Sequence, residues 1–167
     1  MNDFTTDQIL MFPHDISLAV HDIAGRIRRD IKNPCFWLIM NGAFMFGADL
    51  VRQVPQTQDV QFLHIKRGFG ARRPHEPYLI GENPTFLTKY THVFVDIIAE
   101  TGTTLQFALS MVPGRQRERA KTVALICKDW EPDYSGYKTD TPDFLSGYGM
   151  GPHRQLSYIV RIPQEVK

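Results

Sequence analysis

Early in the chain, apolar residues recur at three- and four-residue steps: Ile16, Val20, Ile23, Ile27 and Ile31. Arg26, Arg28, Arg29 and Asp30 fall off that stripe, so the pattern predicts an amphipathic helix with one face in a core. Pro13 suits its start, and Asn33-Pro34 ends it. Phe36-Trp37-Leu38-Ile39-Met40 is a continuous apolar run, which fits a strand buried on both faces. Asn41-Gly42 breaks that run. A second helix is predicted over Ala43 to Val54, with Phe46, Leu50 and Val54 on its stripe and Pro55 closing it.

Val60 to Ile65 predicts another strand. Lys66 to Pro77 (KRGFGARRPHEP) mixes glycines, prolines and arginines and reads as a long loop, of the kind that often serves as a lid. Tyr78 to Ile80 reads as a short strand and Gly81 to Thr91 as a connection. His92 to Ile98 (HVFVDII) is the most strand-like segment of the chain. A helix follows with Leu105, Leu109 and Val112 as its buried side, and Pro113-Gly114 stops it. Arg115 to Lys121 reads as a solvated connection and Thr122 to Cys127 as a buried strand. Trp130 to Ser157 reads as irregular, and Tyr158 to Ile162 as a last short strand.

This order predicts an α/β fold with a mostly parallel sheet covered by helices. Ligands in such folds bind beyond the carboxyl ends of the strands. Two junctions lie there: Asn41-Gly42-Ala43 and Glu100 to Thr104.

A length of 167 residues suits one domain, and a net charge of +1 with no long basic run gives no ground for nucleic-acid binding. No stretch approaches the roughly 20 apolar residues that span a bilayer, and the start of the chain lacks the pattern of a signal peptide. A cytoplasmic location is the expectation. Cys35 and Cys127 both sit in apolar runs, as buried thiols in a reducing compartment would. They cannot form a zinc site alone, and the histidines show no HxxxH-type pairing.

VFVDIIAETGTTL, from Val93 to Leu105, concentrates the chemistry. A buried strand ends in acidic residues, then come one glycine and three threonines, then a helix. Hydroxyls and backbone N–H groups at a helix N-terminus form a cradle for phosphate. It is not a Walker loop, because GxxxxGK[ST] is absent. Asp96 and Glu100 lie four residues apart around the bend, so both can face one ligand, one holding hydroxyls or a metal and the other acting as a base. The same residues also suit an ordinary strand-to-helix turn with threonine caps and solvated acids.

The segment resembles the phosphoribosyl-pyrophosphate (PRPP) motif of purine phosphoribosyltransferases of the hypoxanthine-guanine type. Ile39 to Leu50 (IMNGAFMFGADL) is similar to that family's pyrophosphate-loop strand and helix, and Lys128 ends the next core strand, where the family keeps a purine-recognising lysine. Pro142 to Gly151 (PDFLSGYGMG) resembles its purine-stacking segment, and Arg154-Gln155-Leu156 matches an Arg-x-Leu near its C-terminus. The resemblance runs from about Ile16 to Ile162 and is loose between Lys66 and Thr91. It implies a type I phosphoribosyltransferase-like fold, with a core over about 14–130 and a small irregular hood over about 131–167 together with the N-terminal segment.

It further implies transfer of the phosphoribosyl group of PRPP to hypoxanthine or guanine, in purine salvage, with Mg2+ and a homodimer or homotetramer. Thr101, Gly102, Thr103 and Thr104 would hold the 5-phosphate. Asp96 would bind the ribose hydroxyls and face the magnesium carried by PRPP. Glu100 would be the base. Asn41, Gly42 and Ala43 would bind pyrophosphate through backbone amides, behind a cis Met40–Asn41 peptide, with Arg154 as a clamp. Lys128 would donate to the purine's exocyclic oxygen, Phe144 would stack on the ring, and the Leu145 backbone would face the base edge. Arg67, Gly68, Phe69, Arg72 and Arg73 would belong to the lid.

Four departures stand out. Thr103 replaces a lysine common in the motif, Ile97 replaces its second acid, Glu100 is one methylene longer than the usual aspartate, and Gly151 stands where the family has a magnesium aspartate. Transfer to another base such as xanthine, or nucleotide binding without turnover, stays open at this point.

Overall fold

The computed structural model describes residues 4–67 and 76–163. Gly68, Phe69, Arg72 and Arg73 lie outside the described residues.

The apolar stripe forms α1 (Pro13–Asp30), with Ile16, Val20, Ile23, Ala24 and Ile27 buried. Proline opens it, and the Asp15 carboxylate accepts from the Phe12 amide at 2.9 Å, tying down the first turn. The first apolar run becomes β2 (Pro34–Met40), buried along its length except for Met40 at the end. The second helix, α2, spans Phe44–Arg52, and the next strands are β3 (Asp59–Arg67) and β4 (Pro77–Ile80). β5 (Thr91–Ala99), α3 (Thr103–Ser110), α4 (Gly114–Arg119) and β6 (Lys121–Cys127) follow.

Six strands make the main sheet in the order β4-β3-β2-β5-β6-β7, where β7 is Tyr134–Lys138. All neighbours are parallel except β4, which runs antiparallel to β3 at the edge. Helices α1 and α2 cover one face, over Phe36, Leu38, Val93, Val95, Val123 and Leu125. On the other face α3 packs over Trp37, Ile39, Phe94, Ala124 and Cys127. Each such large side chain, taken fully out of water, contributes roughly 1.5–3 kcal/mol. Both cysteines are buried and unpaired. Burial pushes the Cys35 thiol up to about 11, helped by the negative charge of Asp59.

From β2 the chain moves outward to β3, and from β5 it moves the other way to β6 and β7. The order therefore reverses between β2 and β5, and a crevice opens at such a switch point. A second, three-stranded antiparallel sheet stands over that end: β1 (Ile9–Met11), β9 (Ile159–Ile162) and β8 (Phe144–Ser146), in the order β1-β9-β8.

Three sequence expectations need correction. The segment Trp130 to Ser157 is not wholly irregular, since it contains β7 and β8. β7 reads YSGYK, too polar to announce itself. Its Gly136 is set by tertiary contact, because a Cβ there would come within 2.9 Å of Ala19 on α1 and of the Leu125 carbonyl. Arg115 to Lys121 is mostly the short helix α4, not a plain connection. Ala108 takes the buried place on α3 that the pattern assigned to Leu109, which is only half-buried. None of the helices among the described residues is long and apolar enough to cross a membrane.

Candidate active site

Three strand ends build the site. β2 stops at Met40, and the Met40–Asn41 peptide is cis, as expected from the sequence. The chain then turns tightly, with the Ala43 amide donating to the Ile39 carbonyl at 3.1 Å. Ala43 is fully buried, so its amide is spent inside the turn and Asn41 and Gly42 form the open part. From β3, the His64 Nε2 lies 3.2 Å from the Asn41 side-chain oxygen.

At the end of β5 the chain reaches Asp96, then Glu100, then the turn into α3. Gly102 caps that helix with a φ of +72°, where L side chains are strained. A Cβ there would sit 2.2 Å from the Trp130 ring, so glycine is required on two counts. Trp130 is held in turn by its own amide, which donates to the Glu100 carbonyl at 3.0 Å. The hydroxyls of Thr101 and Thr103 are 2.7 Å apart and share a hydrogen bond, and Thr103 and Thr104 open the first turn of α3. The helix N-terminus aims its partial positive charge into this recess, which Arg67, Asp96, Glu100, Gly102, Thr103 and Thr104 line.

β6 ends next to these acids. The Lys128 ammonium lies 3.4 Å from a Glu100 carboxylate oxygen and donates to the Asp143 carbonyl at 3.2 Å. The lysine side chain is 11% exposed and that of Glu100 43%, so the cation is sheltered while the carboxylate looks into the cleft. The second sheet supplies the remaining wall. A cavity of about 340 Å³ is lined by Asn41, Gly42, Asp96, Glu100, Phe144, Leu145 and Arg154, together with Ile97, Ile98 and the Gly149–Gly151 turn. Phe144 is 48% exposed, so it is no core phenylalanine and its ring is free for a planar ligand.

Asp96 lies at the base of both recesses. Burial raises its carboxyl from 3.8 to about 6. The Ile97 amide, which donates to it at 2.8 Å, and the positive charge of Arg67 pull the other way.

The fold thus gathers Asn41, Gly42, Asp96, Glu100, Phe144, Leu145 and Arg154 around one cavity, and Gly102, Thr103 and Thr104 around its extension. Lys128 abuts it through Glu100, whereas Thr101 is exposed at the rim and Ala43 is buried behind it. Sequence reasoning missed Trp130 as the backing of Gly102, His64 as the partner of Asn41, and the wall made by Gly149 and Met150. Only the glycine spacing in GYGMG hinted at the last: Gly147, Gly149 and Gly151 all have positive φ. At Gly151, φ is +59° and a Cβ would lie 2.7 Å from the Ser146 hydroxyl and 3.0 Å from the Phe144 ring. An aspartate would be strained and crowded there, so its replacement by glycine belongs to the local backbone.

No family model matches the chain. Curated relatives do, over almost the whole length. A hypoxanthine-guanine phosphoribosyltransferase of Streptococcus pneumoniae is 27% identical, over 95% of this chain and 94% of its own. One of Staphylococcus aureus is 25% identical over 95% of each. Among solved structures, a hypoxanthine phosphoribosyltransferase from Staphylococcus aureus superposes with a TM-score of 0.80 at 23% identity, covering 98% of this chain and 96% of that one. A hypoxanthine-guanine phosphoribosyltransferase from Bacillus anthracis gives 0.77 at 21% identity, over 92% and 96%.

Over almost its whole length the chain is similar to purine phosphoribosyltransferases of the hypoxanthine-guanine type. Its sheet order, its switch-point crevice and its second small sheet make a type I phosphoribosyltransferase fold. Of the residues expected from the sequence, Asn41, Gly42, Asp96, Glu100, Phe144, Leu145 and Arg154 line the one cavity of about 340 Å³.

Proposed function

We propose that this phosphoribosyltransferase transfers the phosphoribosyl group of PRPP to a 6-oxopurine, hypoxanthine or guanine, releasing pyrophosphate in purine salvage. The observation that carries the proposal is the convergence of Asp96, Glu100, Phe144 and the Asn41-Gly42 turn on one cavity, with Lys128 paired to Glu100.

In this reading the purine lies against Phe144, with its edge toward the Leu145 backbone and its 6-oxo group accepting from the Lys128 ammonium. Adenine carries an amino group there, which cannot accept that donation. The Lys128 ammonium lies 3.4 Å from the Glu100 carboxylate, the group that accepts the proton in this reading. The step forms a bond from a purine ring nitrogen to the ribose anomeric carbon and breaks the bond from that carbon to pyrophosphate. The purine N–H proton passes to Glu100. Positive charge builds on the ribose ring, so most of the rate comes from holding two substrates in line and from fixed charges around the departing group. Asp96 faces the ribose hydroxyls, the head of α3 takes the 5-phosphate, and Asn41, Gly42 and Arg154 face the pyrophosphate.

Among the described residues no three or more His, Cys, Asp or Glu side chains converge as a metal site. Magnesium fits this donor set only as an ion carried on the phosphate oxygens of PRPP, toward Asp96, where it would neutralise charge on the leaving group. The buried free thiols suit a cytoplasmic protein. Exposed Phe44 and Met45 on α2, with Phe62, Tyr78 and Ile80 on β3 and β4, offer apolar surface to a second copy in a homo-oligomer.

The test is incubation with PRPP, magnesium and hypoxanthine, guanine, xanthine or adenine in turn, with chromatography of nucleotide and pyrophosphate and Glu100→Ala as control. Product from hypoxanthine or guanine that disappears in the control is expected. Product from xanthine alone moves the acceptor. Thermal stabilisation by PRPP without any product makes this a nucleotide-binding protein on an enzyme fold.

A further inference from the structure

The phosphate recess at the head of α3 brings no cation of its own, since Thr101, Gly102, Thr103 and Thr104 are all uncharged. A dianionic phosphate held only by hydroxyls, amides and a helix terminus has no full positive charge opposite it. The cation comes from a different strand. β2 pairs with β3 only as far as Met40 opposite His64, whereas β3 runs on through Ile65, Lys66 and Arg67 against β4. This overhang projects past the end of its neighbour toward the crevice.

Strand alternation decides which of the overhanging residues faces the recess. Leu63 and Ile65 are buried on the α3 side of the sheet, so Arg67, two residues on, takes that same side and Lys66 takes the other. Arg67 accordingly lines the recess with Asp96, Glu100, Gly102, Thr103 and Thr104. Its charge is felt at the Asp96 carboxyl. Among the described residues its guanidinium makes no hydrogen bond or close ion pair.

We infer that Arg67 is a binding residue for the 5-phosphate, restoring from β3 the positive charge that the turn into α3 lacks. The inference rests on the phosphoribosyltransferase reading and moves Arg67 from the lid to the 5-phosphate end of the substrate. A guanidinium suits the task, because its planar fork matches two phosphate oxygens at once. The 5-phosphate is common to PRPP, ribose 5-phosphate and the nucleotide product, so one residue should govern all three affinities.

The experiment is calorimetric titration of wild type, Arg67→Ala and Arg67→Lys with ribose 5-phosphate and, separately, with pyrophosphate, alongside steady-state kinetics in PRPP. Arg67→Ala should weaken ribose 5-phosphate about tenfold to a hundredfold, the loss of one or two charge-assisted hydrogen bonds. KM for PRPP should rise in step while kcat at saturation changes little. Arg67→Lys should recover part of the loss, and pyrophosphate affinity should stay within about twofold. Unchanged ribose 5-phosphate affinity in an active Arg67→Ala enzyme, or an equal loss for pyrophosphate, overturns the assignment and leaves the activity standing. A wild type that binds neither PRPP nor ribose 5-phosphate overturns both.

Discussion

Replacing Asp96 by asparagine should make the folded protein more stable at neutral pH and a poorer binder of PRPP. Asp96 sits at the base of the site, where burial holds its carboxyl at about 6 against 3.8 in a solvated chain. Between those two values the folded protein keeps the proton and the unfolded chain has lost it. Stability therefore falls as pH rises from about 4 to about 6, and stays reduced above that range. Roughly two pKa units at about 1.4 kcal/mol each put the cost near 3 kcal/mol at pH 7. Asparagine keeps the acceptor for the Ile97 amide and carries no charge to desolvate. Urea denaturation of wild type and Asp96→Asn at pH 4, 5, 6, 7 and 8 isolates this group, because every other titration cancels in the difference. The variant's advantage should be small at pH 4, grow through pH 6 and level off. PRPP affinity should drop in the same variant, since an ionised carboxylate holds hydroxyls more strongly than an amide does. A stability difference that is the same at pH 4 and pH 8 would refute the burial argument.

Two further substitutions probe the rest of the site. Gly102→Ala should cost roughly 2–4 kcal/mol, from a left-handed backbone and a Cβ driven into Trp130, seen as a clearly lowered Tm with PRPP binding lost first. Lys128→Met should raise KM for hypoxanthine about tenfold or more and narrow the preference for hypoxanthine over adenine in kcat/KM, with KM for PRPP nearly unchanged.

Five strands of the main sheet, the three longer helices and both strand-end junctions could be read along the chain, because their information is local. The stripe from Ile16 to Ile31, the unbroken run Phe36 to Met40 and the strand that carries Asp96 each state their burial in their own periodicity. So do the turns, where glycine follows each strand. What stayed hidden depends on elements far apart in sequence. β7 is polar and exists because β6 offers an edge and Gly136 lets α1 approach. β1 is three residues long and is a strand only through β9.

The site divides in the same way. Which residue types serve it was legible in the segments from Ile39 to Leu50 and Val93 to Leu105, but their mutual geometry was not. The ion pair of Lys128 with Glu100 follows from parallel β5 and β6 ending side by side. Gly151 in place of an acid follows from a positive φ beneath Phe144 and Ser146. Arg67 faces the recess at the head of α3 because β3 outruns β2 with its alternation intact. Periodicity along one segment determines which face that segment buries. How far each strand runs beside its neighbour is settled only when the sheet assembles, and that places the charges of this site.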